Sequence, residues 1–193
     1  MINGYLAFLG HHYPTAHYIS ENGSEPAESG PLSEHDLRLV RDICITFIPE
    51  AKQCFYNAQF VSMVASSKGL SERMKYVEGY VVKSNLPIPV HHAWVELDGK
   101  VIDLTLVTTE HSTQELERFY HGEDLPRKDD LSDRILGEIP EGWSYYGVRF
   151  DIEEIAQDFI ARGKSFSKID DWENGWPLLN IKKSATPTKP QRR

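Results

Sequence analysis

The sequence predicts an α+β domain in which a helix that bears a cysteine packs on an antiparallel sheet. Two segments with apolar residues at helical spacing, 34–46 and 54–66, come first in the chain. The strand-like segments are 73–82, 91–98, 100–106 and 144–150. The dipeptide Asp98-Gly99 separates two of these segments and is a strong two-residue hairpin signal.

The two helices are predicted from caps and breakers as well as from spacing. Ser33 has the character of an N-cap, with Asp36 three positions later in a near capping box. Pro49 breaks the segment 34–46, which we interpret as an amphipathic helix. The second helix begins at Cys54 and ends near Gly69.

The remaining elements follow from turn residues and composition. Gly79 in the first strand suggests a bulge or a close backbone approach. Residues 19–32 have loop composition, and 151–163 is predicted to be a helix closed by Gly163. The acidic segment 107–142 predicts a short helix near 113–121 and a long loop that lines or covers a site. Its charge suits a cationic substrate, although an acidic surface loop is the commoner explanation.

Composition indicates one globular domain, residues 1–181 with a core of about 34–163, and a basic tail at 182–193 expected to be disordered. The hydrophobic content of 40% and the net charge of −8 fit a soluble protein that does not bind nucleic acid generally. We predict a cytoplasmic location and no membrane contact, because no leader, membrane-length apolar run or disulfide framework is visible.

Cys54, His92 and Asp103 occur in the order and settings that a cysteine acyl-transfer enzyme needs. Cys54 begins a helix, while the other two residues lie in one short hairpin segment, HHAWVELDGKVIDLT. Such a hairpin can hold an imidazole and a carboxylate side by side, with the thiol supplied from elsewhere in the fold.

Strand parity selects His92 rather than its neighbour His91. If Asp98 and Gly99 form the turn, Leu97 faces Lys100, and counting outward places Trp94 opposite Asp103 and His92 opposite Thr105. The side chains of His92, Trp94, Asp103 and Thr105 would then share one face. His91 would point to the opposite face with Val95 and Ile102, unless a bulge reverses the parity.

In this arrangement each residue has a defined chemical task. A helix N-terminus and an adjacent imidazolium both favour the thiolate of Cys54. His92 would return the proton to the leaving amine, and Asp103 would orient the imidazole ring. The Cys54 N–H is a natural oxyanion donor, and the neighbouring Gln53 is a candidate for the second donor.

The order of Cys54, YVEGY (76–80), HAWVE (92–96) and DLT (103–105) resembles the transglutaminase-like, papain-fold cysteine superfamily. The resemblance covers roughly residues 50–106 and implies a papain/transglutaminase-like core with N-terminal helices. It implies the triad Cys54, His92 and Asp103 and attack on an amide carbonyl through a thioester. We expect neither a metal nor a cofactor. Two positions depart from the family pattern: Gln53 precedes the cysteine, and Leu104 replaces the usual proline.

Three functional hypotheses remain open at this point. The first is a hydrolase, deamidase or transglutaminase that acts on a peptide, a protein or a small amide, with Tyr80 and Trp94 lining the site. The second is a catalytically silent protein-binding module on the same fold. The third is a metal protein that uses His11, His12 and His17, or His91 with His92, but neither set has the spacing of a zinc site.

Overall fold

A computed structural model describes residues 6, 9–10, 13–84, 86–124 and 136–180. These residues form four antiparallel strands and seven helices. The strands are β1 (Met74–Lys83), β2 (Leu86–Leu97), β3 (Lys100–Ile102) and β4 (Ser144–Asp151). The helices are α1 (Pro14–Asn22), α2 (Glu34–Cys44), α3 (Cys54–Ser67), α4 (Leu104–Glu110), α5 (Thr113–Tyr120), α6 (Ile152–Arg162) and α7 (Pro177–Asn180), with a 3-10 turn at Trp172–Asn174. The predicted α+β class is confirmed, while the tail at 182–193 lies outside the described residues.

The helix predictions hold closely, because the caps are made as expected. The Ser33 hydroxyl accepts a hydrogen bond from the Asp36 N–H at 3.1 Å and begins α2. Helix α3 begins at Cys54 itself, and α6 ends at Gly163, which adopts a left-handed conformation with φ of 64°. Helix α5 lies within the predicted range near 113–121 and starts with a full capping box from Ser112 to Glu115.

The sheet has the order β3-β2-β1-β4, and both of its faces are covered. Alternate residues of β1 and β2, such as Tyr76 and Val95, join the main core with residues of α3 and α6. On the other face Trp94 packs in a second cluster with Trp143 and Tyr145. A Cβ atom added to Gly79 would lie 2.1 Å from the Tyr146 carbonyl oxygen, so the predicted close backbone approach is confirmed.

The hairpin register is confirmed, but its second arm is shorter than predicted. Leu97 pairs with Lys100 and Val95 pairs with Ile102, as a turn at Asp98-Gly99 requires. The prediction of a strand to residue 106 is wrong, because β3 ends at Ile102 and α4 follows. Asp103 is the N-cap of α4 and accepts the Leu106 N–H, which favours the helix over further strand pairing.

Both ends of the described chain pack against the sheet region. The loop prediction for 19–32 is wrong at its start, since α1 runs to Asn22 and buries Ile19 in a cluster with Tyr146. The segment after α6 returns to the domain through the buried Phe166 and Ile169. Among the described helices none has the length and apolar character that a membrane crossing requires.

Candidate active site

His92 lies on β2 beyond the end of β3, which pairs only with residues 95–97, so among the described residues β2 has no strand partner on that side of His92. Its Nε2 atom lies 2.7 Å from Oδ2 of Asp103, within hydrogen-bond distance. Both side chains are largely buried, with 9% of the His92 side chain and 1% of the Asp103 side chain exposed. The structure therefore brings the two residues together, although Asp103 reaches the imidazole from a helix cap and not from a strand.

The Asp103 carboxylate is fixed by two further donors. Its Oδ1 accepts the Leu106 N–H at 3.1 Å, and its Oδ2 also accepts the Tyr145 hydroxyl at 3.1 Å. Burial, and then the adjacent Asp103 charge, raises the pKa of Tyr145 well above its ordinary value, so this hydroxyl stays protonated and donates. A carboxylate held by three donors can keep one orientation of the imidazole ring.

The His92 ring carries a proton through the neutral range. Burial alone would lower the pKa of His92, but the charge and hydrogen bond of Asp103 and the nearby Cys54 sulfur outweigh it and raise this pKa to about 10. Because Nε2 is engaged by Asp103, Nδ1 is the ring nitrogen left for the sulfur. An imidazolium between a carboxylate and a thiol is the charge arrangement that activates a cysteine nucleophile.

Cys54 is half-buried and is the first residue of α3. The first helical hydrogen bond of α3 runs from the Asn57 N–H to the Gln53 carbonyl at 2.9 Å, so the N–H groups of residues 54–56 precede the helical ladder. Gln53 is exposed, and the structure gives its side chain no hydrogen bond to a described residue. These N–H groups and the Gln53 amide are therefore available to a substrate oxygen on this side of the sulfur.

Asn57 ties the segment before the cysteine to the segment that carries the carboxylate. Its side chain exchanges two hydrogen bonds with the backbone of Glu50, at 2.9 and 2.7 Å. The same amide donates to the Thr105 hydroxyl at 2.8 Å. Lys52, within the loop that Asn57 closes, has a left-handed φ of 64°, an uncommon conformation for a residue with a side chain. The loop that precedes Cys54 is thus held against α4 by one buried amide.

The two aromatic residues predicted to line the site have other surroundings. Trp94 shares the face of His92, as parity predicted, and their rings stack with centroids 6.3 Å apart. Trp94 is only 1% exposed, so it supports the imidazole from behind and offers a substrate no surface. Tyr80 instead contacts the ring of His91, with centroids 5.5 Å apart, and borders a separate pocket.

His91 points to the opposite face from His92, as predicted. Its Nε2 atom lies 3.1 Å from Oε1 of Glu78, a fully buried carboxylate. Glu78 also accepts hydrogen bonds from the Ser167 hydroxyl and from the N–H of Lys168 at 2.7 Å, and so anchors the segment after α6. The metal-site hypothesis also named His11, His12 and His17. His11 and His12 lie outside the described residues, and Nε2 of His17 lies 3.4 Å from Oε1 of Glu21 on the exposed face of α1.

Replacing Tyr145 with phenylalanine should lower the free energy of unfolding by about 1–2 kcal/mol, because Asp103 loses a buried donor. The matched control is Tyr146→Phe, whose hydroxyl makes a long contact of 3.4 Å to the Ser20 carbonyl and should cost under about 0.5 kcal/mol. Urea denaturation of both variants measures the difference. Equal losses would mean that the hydroxyl does not support the carboxylate.

Sequence reasoning missed Asn57, Thr105 and Tyr145 as parts of this site. Asn57 lies one turn after Cys54 on the helix, and the only signal in the sequence was a polar residue within an otherwise apolar helical segment; its burial is known only from the structure. Tyr145 could not be found without knowing which face of β4 meets α4. Comparisons with protein-family models, curated proteins and solved structures gave no match to this chain.

Proposed function

We propose that this protein is a cysteine-dependent acyl-transfer enzyme that attacks an amide carbonyl of a peptide, a protein or a small amide. The observation that supports the proposal most strongly is the buried His92–Asp103 hydrogen bond of 2.7 Å, with the Cys54 sulfur beside the same ring at a helix start. The resemblance of residues 50–106 to the transglutaminase-like, papain-fold superfamily supports the same chemistry and a core of that type.

The proposed reaction has two halves. The Cys54 thiolate attacks the amide carbon, and the N–H groups at the start of α3 stabilise the resulting oxyanion. As the C–N bond breaks, His92 gives its proton to the leaving amine or ammonia, and a thioester remains. Neutral His92 then takes a proton from water, and the water oxygen attacks the thioester. The C–S bond breaks, the acid leaves, and the thiolate–imidazolium pair is regenerated.

We favour water over an amine as the acceptor, so hydrolysis or deamidation is the expected outcome.

Asp103 holds the imidazole ring in both halves of the reaction and keeps its negative charge, which stabilises the imidazolium whenever it forms. Trp94 behind the ring and Tyr145 on the carboxylate limit the movement of this pair. Catalysis then depends on positioning that the fold provides before a substrate binds.

Exposure of cell-lysate proteins to the wild-type protein and to Cys54→Ala tests this function. Mass gains of about one dalton would indicate deamidation, new termini would indicate proteolysis, and linked peptides would indicate transfer to an amine. The control is Cys44→Ala, which removes the other cysteine, a core residue that is 1% exposed, and should keep the activity. Identical products from the wild type and Cys54→Ala would contradict the proposal and favour a protein-binding module.

A further inference from the structure

A pocket with aromatic walls lies on the His91 side of the sheet, apart from the cysteine and His92. It has a volume of about 520 Å³, and its walls include Tyr13, Tyr80 and Trp176, together with His91 and Asp170. A smaller pocket of about 310 Å³ shares His91 and Asp170 and extends to Phe55. Because Phe55 follows Cys54, the smaller pocket lies beside the N-terminal end of α3.

Asp170 is the charged group at the junction of these pockets, and only one of its two carboxylate oxygens accepts a hydrogen bond from a described residue. Oδ1 accepts the Trp176 indole N–H at 2.8 Å, while the structure gives Oδ2 no partner among the described residues. The nearby acids Asp171 and Glu173 differ, since each pairs with a basic side chain, Arg162 and Lys164. Burial, then the charges of Asp170 and Glu78, raises the pKa of Tyr80, which places its ring within the field of this carboxylate.

The aromatic wall is held in place at a conformational cost. Trp176 has a left-handed φ of 55°, which a bulky residue rarely adopts. Its N–H donates to the Asp171 carbonyl at 2.8 Å, and its indole is fixed to Asp170. Strain of this kind persists where the surroundings enforce it, and it is concentrated at sites that bind ligands. Trp176 is nevertheless 44% exposed, so a ligand can reach this residue.

From this arrangement we infer that the pocket binds an alkylammonium group, the side chain of lysine. Aromatic faces and a carboxylate that has no basic partner among the described residues together attract an organic cation. A single free carboxylate oxygen suits a point-like ammonium better than a guanidinium, which needs two oxygens for its fork. If the proposed function holds, the pocket selects substrates with a lysine near the reacting amide; the binding itself does not depend on that function.

Nuclear magnetic resonance titration of the full chain carrying Cys54→Ala tests the binding without any chemistry. The probe is N-acetyl-lysine N-methylamide, and the matched uncharged probe is N-acetyl-norleucine N-methylamide. We expect a dissociation constant on the order of 1 mM for the lysine probe, with shifts of the exposed indole signals and not of the buried Trp94 and Trp143. The norleucine probe should bind at least about tenfold more weakly.

Two variants locate the site. Asp170→Asn keeps an acceptor for the Trp176 indole but removes the charge, and should weaken lysine binding about tenfold. Asp42→Asn makes the same change at an exposed position on α2 and should leave binding unchanged. Equal binding of both probes, or unchanged lysine binding by Asp170→Asn with an intact thermal transition, would overturn the inference.

The substrate assignment is tested separately. Products that the wild type makes in lysate should carry a lysine at a fixed distance from the modified amide, and Asp170→Asn should lose that preference. Products without such a preference would overturn the assignment of lysine to the substrate. If lysate yields no products at all while the lysine probe still binds, the proposed function fails and the pocket stands as a binding site.

Discussion

His92→Gln is expected to slow alkylation of Cys54 by iodoacetamide about 10²-fold at pH 5.5. In the wild type the imidazolium of His92, whose pKa is raised to about 10, lies beside the Cys54 sulfur, and an adjacent imidazolium makes a thiol more reactive. An ordinary thiol, with a pKa of about 8.5, is only about 0.1% thiolate there. A thiol that loses its imidazolium partner should therefore react slowly at this pH.

The neighbouring histidine provides the control for this prediction. His91→Gln removes an imidazole of the opposite parity, which contacts Phe55 and Glu78, and should change the rate less than about threefold. Mass spectrometry of tryptic peptides separates Cys54 from the buried Cys44, whose pKa is raised by burial and which should stay unlabelled in the folded protein. Equal rates for wild type and His92→Gln would mean that the sulfur and the ring do not act as a pair.

The parts of the fold that the sequence predicted are those set by local rules. Ser33, Gly163 and the Asp98-Gly99 turn each act through their own backbone, so their effects can be read from a few neighbouring residues. Helix α1 was missed, because a nine-residue helix gains most of its stability from packing, here through Ile19 against Tyr146. Packing partners that are distant in sequence are not visible in a local pattern.

In the candidate site, too, the features set by local rules could be predicted and the packing between distant residues could not. Strand parity correctly predicts that His92 and His91 point to opposite faces, because strand alternation is a local property. It was wrong about how Asp103 is presented, since the preference of that residue for an N-cap ended the strand three residues after the turn. Trp94 was placed on the correct face, but its burial depends on Tyr145 and Trp143 from the distant β4 region. The sheet face on which a side chain lies could be predicted, whereas the burial of that side chain could not.

Asp103→Asn should lower the free energy of unfolding by about 3 kcal/mol near pH 7. The substitution keeps an acceptor for the Leu106 N–H, so the cap of α4 survives, but it leaves a buried imidazolium without its counter-ion. The matched control is Asp98→Asn in the same hairpin, where the carboxylate pairs with Arg73 at the surface. That pair is partly exposed to solvent, and its loss should cost under about 1 kcal/mol.

The pH dependence tests whether the His92–Asp103 ion pair is the source of this loss. Because the pKa of His92 rises on folding from about 6.5 to about 10, its stabilisation is fully present below pH 6.5 and is lost as the pH rises through about 10. Asp103→Asn removes the charge that chiefly sustains this shift. The gap in unfolding free energy between the wild type and Asp103→Asn should therefore narrow from pH 6 to pH 10 in urea denaturation. A gap that stays constant over that range would mean that the stability lost in Asp103→Asn does not come from the His92–Asp103 ion pair.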